Sequence, residues 1–388
     1  MRTLSTSTTL VDPYRAGLAM GLELAAIQPE VVFLFCTAHY AKWDELLEGL
    51  YDGLDDASVQ LIGATGDGFL ERSHVADLGA CALGLNSAGA LRWHVAASTG
   101  VQQDPRGAVR DTLGALQAAL QGRTPAAYFL FSDFHTDASV LESVLRDEVQ
   151  VPVMGGLAAD DNSKMEQCRV FCNRQHYADA VVMLACEGPL SFQVHIGNSI
   201  APVGSAGCVA GAVGKTLQKI DGIDATQFIE RETGKPFLHT DQGSIALTVA
   251  HTGFAGEKCL RALVENYRAN DGSLTLHGGI GDGEMVQVCL ASPSQLRDEV
   301  YKIAQTVQSS GMAPSAALII SCAGRKSLLG GKIDFEVEAI RDACAQPFPM
   351  VGFSSFGEIG PLRHQGRYTR NLFHNMTYVL VLLGQCDG

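Results

Sequence analysis

Three times in this sequence an unbroken apolar run leads through a helix-like stretch into a second apolar run that ends in glycine. The first copy goes from Val31-Val32-Phe33-Leu34-Phe35 through residues 41–50 to Val59-Gln60-Leu61-Ile62-Gly63-Ala64. The second goes from Ala127-Tyr128-Phe129-Leu130-Phe131 through 137–147 to Val151-Pro152-Val153-Met154-Gly155-Gly156. The third goes from Ala317-Leu318-Ile319-Ile320 through 335–344 to Phe348-Pro349-Met350-Val351-Gly352-Phe353. Each copy has the length of a βαβ crossover, and strands that are apolar on both faces read as buried parallel strands. Such a repeat points to an α/β, mixed α+β fold in which repeated βαβ units build mixed sheets.

The first strands end in small or polar residues: Cys36-Thr37-Ala38-His39, Ser132-Asp133-Phe134-His135 and Ser321-Cys322-Ala323-Gly324-Arg325. The second strands end in glycine loops at 63–68, 155–160 and 352–360. Glycine there lets another group approach the main chain closely, and ligands in open α/β sheets settle beyond the carboxyl ends of the strands. A site is expected at these tips. Between the copies, residues 170–172, 180–186, 191–196 and 204–214 read as short strands of an antiparallel meander. A short helix over 223–232 is ended by Gly234 and Pro236. Another strand set starts at Ile245, and Ser292-Pro293 opens a helix closed by Gly311. We expect two related lobes with a soft boundary near 234–243, an N-terminal domain over 16–235 and a C-terminal domain over 243–384.

With 28 Lys and Arg against 42 Asp and Glu, the formal charge is −14, which speaks against nucleic-acid or anionic-membrane partners. The hydrophobic fraction of 46% is high enough for a packed core and excludes disorder as the overall state. The first residues lack the apolar run of a signal peptide. The longest apolar runs are far short of a membrane span, so a cytoplasmic protein is expected. Eleven cysteines, an odd number spread over the whole length, do not suggest a disulfide framework. Cys36, Cys81, Cys186, Cys289 and Cys322 lie in apolar runs, where a reduced thiol acts as a small hydrophobe. Cys168 and Cys172, with His176 four residues on, approach a metal or redox pair, but a structural zinc site needs four ligands.

Strong local catalytic signatures are missing. Gly214-Lys215-Thr216 resembles the tail of a phosphate loop, but Val209 stands where its opening glycine belongs. Gly279-Ile280-Gly281-Asp282-Gly283 has Glu284 where a dinucleotide fingerprint needs glycine, and reads as a turn. There is neither a G-x-S-x-G elbow nor an H-E-x-x-H helix. Cys36 and His39 share a strand end without a recognisable orienting group. The chain therefore reads as a binding protein rather than an enzyme.

Several stretches occur in a telling order: Gly155-Gly156-Leu157-Ala158-Ala159-Asp160, then LQKIDGIDATQF at 217–228, then Ser321 to Arg325, then GFSSFGEIGP at 352–361, then His374-Asn375-Met376-Thr377. In this order the chain resembles the FIST family, the sensory domains named for F-box and intracellular signal-transduction proteins. The resemblance runs from about residue 16 to 384, and GFSSFGEIGP with HNMT is its most specific part. It implies a non-catalytic signal-input module for a small ligand, amino acids and their relatives among those proposed. A chain of this length also resembles the nitric-oxide-sensing branch, whose members bind haem and regulate a histidine kinase or a cyclic-dinucleotide enzyme. The sequence contains no kinase, cyclase or other output domain, which suits a sensor acting on a separate partner.

On this reading His39, His135 and His374 are the candidate haem ligands. Aligning FLFCTAHY with FLFSDFHT sets His39 opposite His135, and His374 sits in the family motif. A hydrogen-bonded structural role is the alternative for each. The C-x-x-C-H signature is absent, so haem would be held reversibly. Arg325, Arg363 and Arg367 offer forked donors to a ligand carboxylate. Ser354, Ser355 and Glu358 are the polar groups of GFSSFGEIGP expected to face a ligand, with Phe353 and Phe356 as a wall. Glu358 suits an amine or guanidinium, and Asp160 has a similar standing. The competing readings are a sensor of an amino acid or similar metabolite without haem, and a thiol- or carboxylate-dependent enzyme. A homo-oligomer is left open.

Overall fold

In the computed structural model the described residues are 1–72, 74–162, 165–197, 200–238, 244–250, 258–268, 271–344 and 346–385. Each of the three sequence repeats sits inside a larger unit of the same plan. The first unit is β1 (Arg2–Thr8), α1 (Pro13–Leu24), β2 (Val31–Thr37), α2 (Trp43–Leu54), β3 (Gln60–Gly66), β4 (Phe69–Glu71), β5 (His74–Ala76) and β6 (Ala80–Asn86). The second is β7 (Arg92–Thr99), α3 (Pro105–Leu120), β8 (Ala127–Ser132), α4 (Ala138–Glu148), β9 (Val153–Leu157), β10 (Val170–Cys172), β11 (Gln175–Tyr177) and β12 (Ala180–Glu187). The third begins with β13 (Leu190–Gly197) and is then interrupted by an insertion. That insertion comprises β14 (Gly207–Cys208), β15 (Ala212–Val213), β16 (Thr216–Leu217), β17 (Lys219–Ile220), β18 (Ile223–Asp224), α5 (Ala225–Thr233), β19 (Ile245–Ala250), β20 (Lys258–Arg268), β21 (Leu274–Leu276) and β22 (Met285–Leu290). The unit resumes with α6 (Pro293–Ser309), β23 (Ala316–Cys322), α7 (Ala323–Leu329), α8 (Phe335–Ala343), β24 (Met350–Ser355), β25 (Glu358–His364), β26 (Arg367–His374) and β27 (Tyr378–Gln385).

All three expected crossovers form parallel pairs, β2 with β3, β8 with β9, and β23 with β24. Each pair is the centre of a six-stranded sheet, and the three sheets have the same strand plan. The first runs β1-β6-β2-β3-β10-β11, the second β7-β12-β8-β9-β25-β26, the third β13-β27-β23-β24-β4-β5. The hairpin that follows each crossover therefore leaves its own sheet. β4–β5 docks on β24, β10–β11 docks on β3, and β25–β26 docks on β9, so the exchange closes in a ring.

Side-chain alternation explains the layers. Val31, Phe33 and Phe35 of β2, Phe129 and Phe131 of β8, and Leu318 and Ile320 of β23 point into one shared core. The alternate residues of each sheet pack outward on helices: Val32 and Leu34 on α1 and α2, Tyr128 and Leu130 on α3 and α4, Ala317 and Ile319 on α6 and α8. Those helices start where the sequence caps them: Asp12 accepts from the Arg15 amide, Asp104 from the Gly107 amide, and Ser292 forms a capping box with Gln295.

The mixed α+β class is as expected, but in place of two related lobes the chain builds three like units around one core, with the insertion as a second body. The insertion builds its own seven-stranded sheet, β14-β22-β19-β20-β21-β16-β15. The short segments expected to form a meander are strands and pair antiparallel, but β10, β12 and β13 each belong to a different sheet. The physical reason is the exchange: neighbours in sequence find their hydrogen-bond partners in different units. Residues 239–243 of the expected domain boundary lie outside the described residues. The Gly214-Lys215-Thr216 stretch is a hairpin turn between β15 and β16. Among the described residues no helix is long and apolar enough to cross a membrane.

Candidate functional site

The glycine loops converge. The Asp67 amide donates to the Ser354 carbonyl (2.9 Å) and the Ser354 amide to the Gly68 carbonyl (3.1 Å). The Ala159 amide donates to Thr65 (2.9 Å) and the Leu157 amide to Gly357 (2.8 Å). Each unit's tip is thus stitched to another's. Beneath them one aromatic ring from each sheet closes the shared core: Phe35 stacks on Phe353 at 4.7 Å, and Phe131 meets Phe35 and Phe353 edge-on at 5.4 and 5.6 Å. Two residues on from Phe35, Phe131 and Ile320 the chain places Thr37, Asp133 and Cys322, all buried, so two of the three strands top the apolar core with a polar group.

The insertion reaches over this end. Lys215 Nζ donates to the Thr136 carbonyl at 2.8 Å. His277 lies 5.8 Å from the ring of Phe134, which itself packs on Phe356 at 4.8 Å. Burial, with Lys215 adding, pushes the His277 imidazole down to about 4, and burial lowers Lys215 as well.

Glu358 is fully buried. Oε2 accepts from the Thr377 hydroxyl (2.7 Å) and amide (3.2 Å). Among the described residues Oε1 has no hydrogen-bond partner; the neighbouring Ser355 hydroxyl donates to the Gly357 carbonyl at 2.7 Å. Burial pushes the carboxyl up to about 8, against the pull of Thr377, Arg325 and the nearby Ser355 hydroxyl. The pairing registers make the anomaly plain. Phe69 faces Phe353 and Val170 faces Ala64 at the positions where Glu358 faces Gly156, so two units put an apolar side chain where the third puts a carboxyl.

The other expected residues divide. Asp160 is buried, accepting from the Asn162 and Gln167 amides at 3.1 and 2.6 Å, and burial raises its carboxyl. Burial also raises Asp67, against Lys326, with Asp161 and Asp77 adding. His39 Nε2 is 3.6 Å from Asp161, and His135 Nδ1 is 3.2 Å from Asp133. His374 is fully buried, Nε2 against the Gly360 carbonyl at 3.2 Å and the residue opposite Glu358 in the strand pair. Ser354 and Ser355 are buried at the tip and Phe356 is partly buried there. Arg325 is not available to a ligand: it is fully buried, bonded to Glu336 at 2.7 Å, Glu299 at 2.8 Å and the Leu296 carbonyl at 3.1 Å. Its guanidinium, carried by α7, neutralises two buried carboxylates and ties α6 and α8 to that helix.

Sequence reasoning missed Asp133, Lys215 and His277. Asp133, held by Gln102 Nε2 at 2.6 Å, was signalled by an acid two residues beyond an inward phenylalanine. The other two carry no local signal, because they come to the tips from the insertion. The buried thiols of Cys36 and Cys168 are pushed far up by desolvation, opposite to what a thiolate nucleophile needs. Cys168 and Cys172 are free, and among the described residues no His/Cys/Asp/Glu group is arranged to hold a metal ion.

The FIST N domain model matches residues 30–223 and the FIST C domain model residues 222–361. The chain belongs to the FIST family. FIST domains are sensory, which gives this chain a place in signal reception. The two FIST domains meet within the third unit, after β13. No curated protein matches the chain. Among solved structures, one described as the structure of PurLQS from Thermotoga maritima aligns over 99% of this chain and 72% of its own, at 11% identity and a TM-score of 0.22, a level from which nothing follows.

Proposed function

We propose that this chain is a cytoplasmic, non-catalytic sensor that binds a small amine-bearing ligand, an amino acid or similar metabolite, where the three tips meet under the insertion. In this proposal its occupancy is passed to a separate partner such as a histidine kinase or a cyclic-dinucleotide enzyme. The observation that carries the reading is the fully buried Glu358 carboxyl, whose Oε1 accepts no hydrogen bond of good geometry among the described residues. A buried polar atom without a partner costs free energy, and an incoming ammonium or guanidinium would relieve it while stabilising the ionised carboxylate.

Haem, the ligand implied by the family's nitric-oxide-sensing branch, fits the expected histidines poorly. It asks for an axial nitrogen beside an apolar slot and cations for its propionates. His374 is enclosed between strands. His39 and His135 have side chains 47% and 42% exposed, at the rim rather than in an enclosed apolar slot. The nearby cations are engaged, Lys326 with Asp67 and Asp77 at 3.1 and 2.8 Å, and Lys215 with Thr136. No step is routed through haem at these residues.

Thermal unfolding in the presence of amino acids, agmatine and putrescine tests the proposal. At a ligand concentration of a hundred Kd, linkage stabilises by about 2.7 kcal/mol. At least one amine should raise the midpoint for the native sequence and not for Glu358→Gln. If no amine shifts the midpoint, or the shift survives Glu358→Gln, the reading fails.

A further inference from the structure

A cleft of about 820 Å³ lies between β13, α6, the turn of the β25–β26 hairpin and the first residue of β20. Its cations are Lys258, Lys302 and Arg363, and its apolar wall includes Val194, Ile196 and Ile303. Three cations on one hollow stand out in a chain whose formal charge is −14. Lys302 and Arg363 are exposed and make no ion pair among the described residues. The acid on the wall, Glu299, is committed to Arg325 at 2.8 Å, so the hollow keeps its positive character. His195 lies on the cleft, buried, with Nε2 3.2 Å from the Gln193 side-chain oxygen. Burial, with Arg363 adding, pushes that imidazole down to about 4, so it is a neutral polar group at physiological pH.

We propose that this cleft binds a small organic anion with two or more acidic groups, phosphate or carboxylate, on an apolar body. Arg363 offers a planar fork to one acidic group, Lys302 a point charge to a second, and the aliphatic wall takes the body. The volume lies in the range of small-molecule sites. Arg363 is five residues along β25 from Glu358, roughly 16 Å of extended strand, so this site is separate from the tips and does not depend on the amine reading.

Calorimetric titration of the full chain with two probes separates the possible sources of the charge: ATP supplies phosphates and haemin supplies two propionates on an apolar ring. Adenosine is the uncharged control. At least one of the anions should bind with a Kd at or below about 100 µM, and adenosine should not. Lys302→Ala with Arg363→Ala should weaken that binding roughly tenfold or more, and Lys302→Gln with Arg363→Gln should do the same with unchanged circular dichroism. Glu358→Gln should leave it intact. Failure of both anions to bind at about 1 mM, binding that survives the charge removals, or binding lost in Glu358→Gln overturns the proposal.

Discussion

Arg261 of β20 and Glu142 of α4 are joined by a buried ion pair of 2.6 Å across 119 positions of sequence. The same guanidinium donates to the Phe373 carbonyl at 2.5 Å, and the Phe373 amide donates to Glu142 Oε1 at 3.2 Å. One cluster therefore clamps the insertion to the second sheet. Removing one partner strands the other charge in the interior. Arg261→Met or Glu142→Gln should each cost about 3–5 kcal/mol, read by urea denaturation. An apolar pair, Arg261→Met with Glu142→Leu, should recover part of the loss. Single variants with the stability of the native chain would show that the clamp contributes little.

Gly63, Gly155 and Gly352 occupy one register in the three units, opposite Leu34, Leu130 and Ile319 of the partner strand. At each, a Cβ would overlap the facing carbonyl oxygen, which is main chain and cannot swing aside. Alanine at any of them should destabilise by at least the cost of overpacking, about 1–3 kcal/mol, measured by chemical denaturation. A tolerated alanine would mean that the strands can spread without loss.

Glu358 sets a pH dependence of definite sign. Its carboxyl rises from 4.5 to about 8 on folding, so between those values the native state binds more protons than the unfolded one and stability falls as pH rises. The contribution is whole below the unfolded value and is lost as pH climbs through the native one. Glu358→Gln, always neutral, should flatten the profile over this window and be the more stable form at its alkaline end. Parallel profiles for the two chains from pH 5 to 9 would contradict the burial argument.

A fragment ending at Glu187 tests the exchange of hairpins. It would keep the first two units but lack β25–β26, which cover β9, and β24, on which β4 docks. An uncovered strand edge invites association. Size-exclusion chromatography should show aggregates without a cooperative unfolding transition; a cooperative monomer would refute the prediction.

Much of this was legible in the sequence, for identifiable reasons. The parallel pairs announced themselves because a strand buried on both faces must be apolar throughout, as Val31 to Phe35 is. The destination of the hairpins did not, because three-residue strands such as β4 and β10 carry no mark of the sheet they join. Glu358 was singled out as a polar group in a distinctive motif, and the fold shows it to be a carboxyl in an otherwise apolar place. Arg325 looked like a ligand contact because Glu299 and Glu336, from two different helices, meet it only after folding. Lys215 and His277 were invisible as tip residues for the same reason.

The circular trade of hairpins also limits how such a molecule can respond to a signal. Each sheet is finished by a piece of another, so no unit can swing out without stripping an edge from its neighbour. A displacement of one tip is therefore shared with the other two through the strands they have in common.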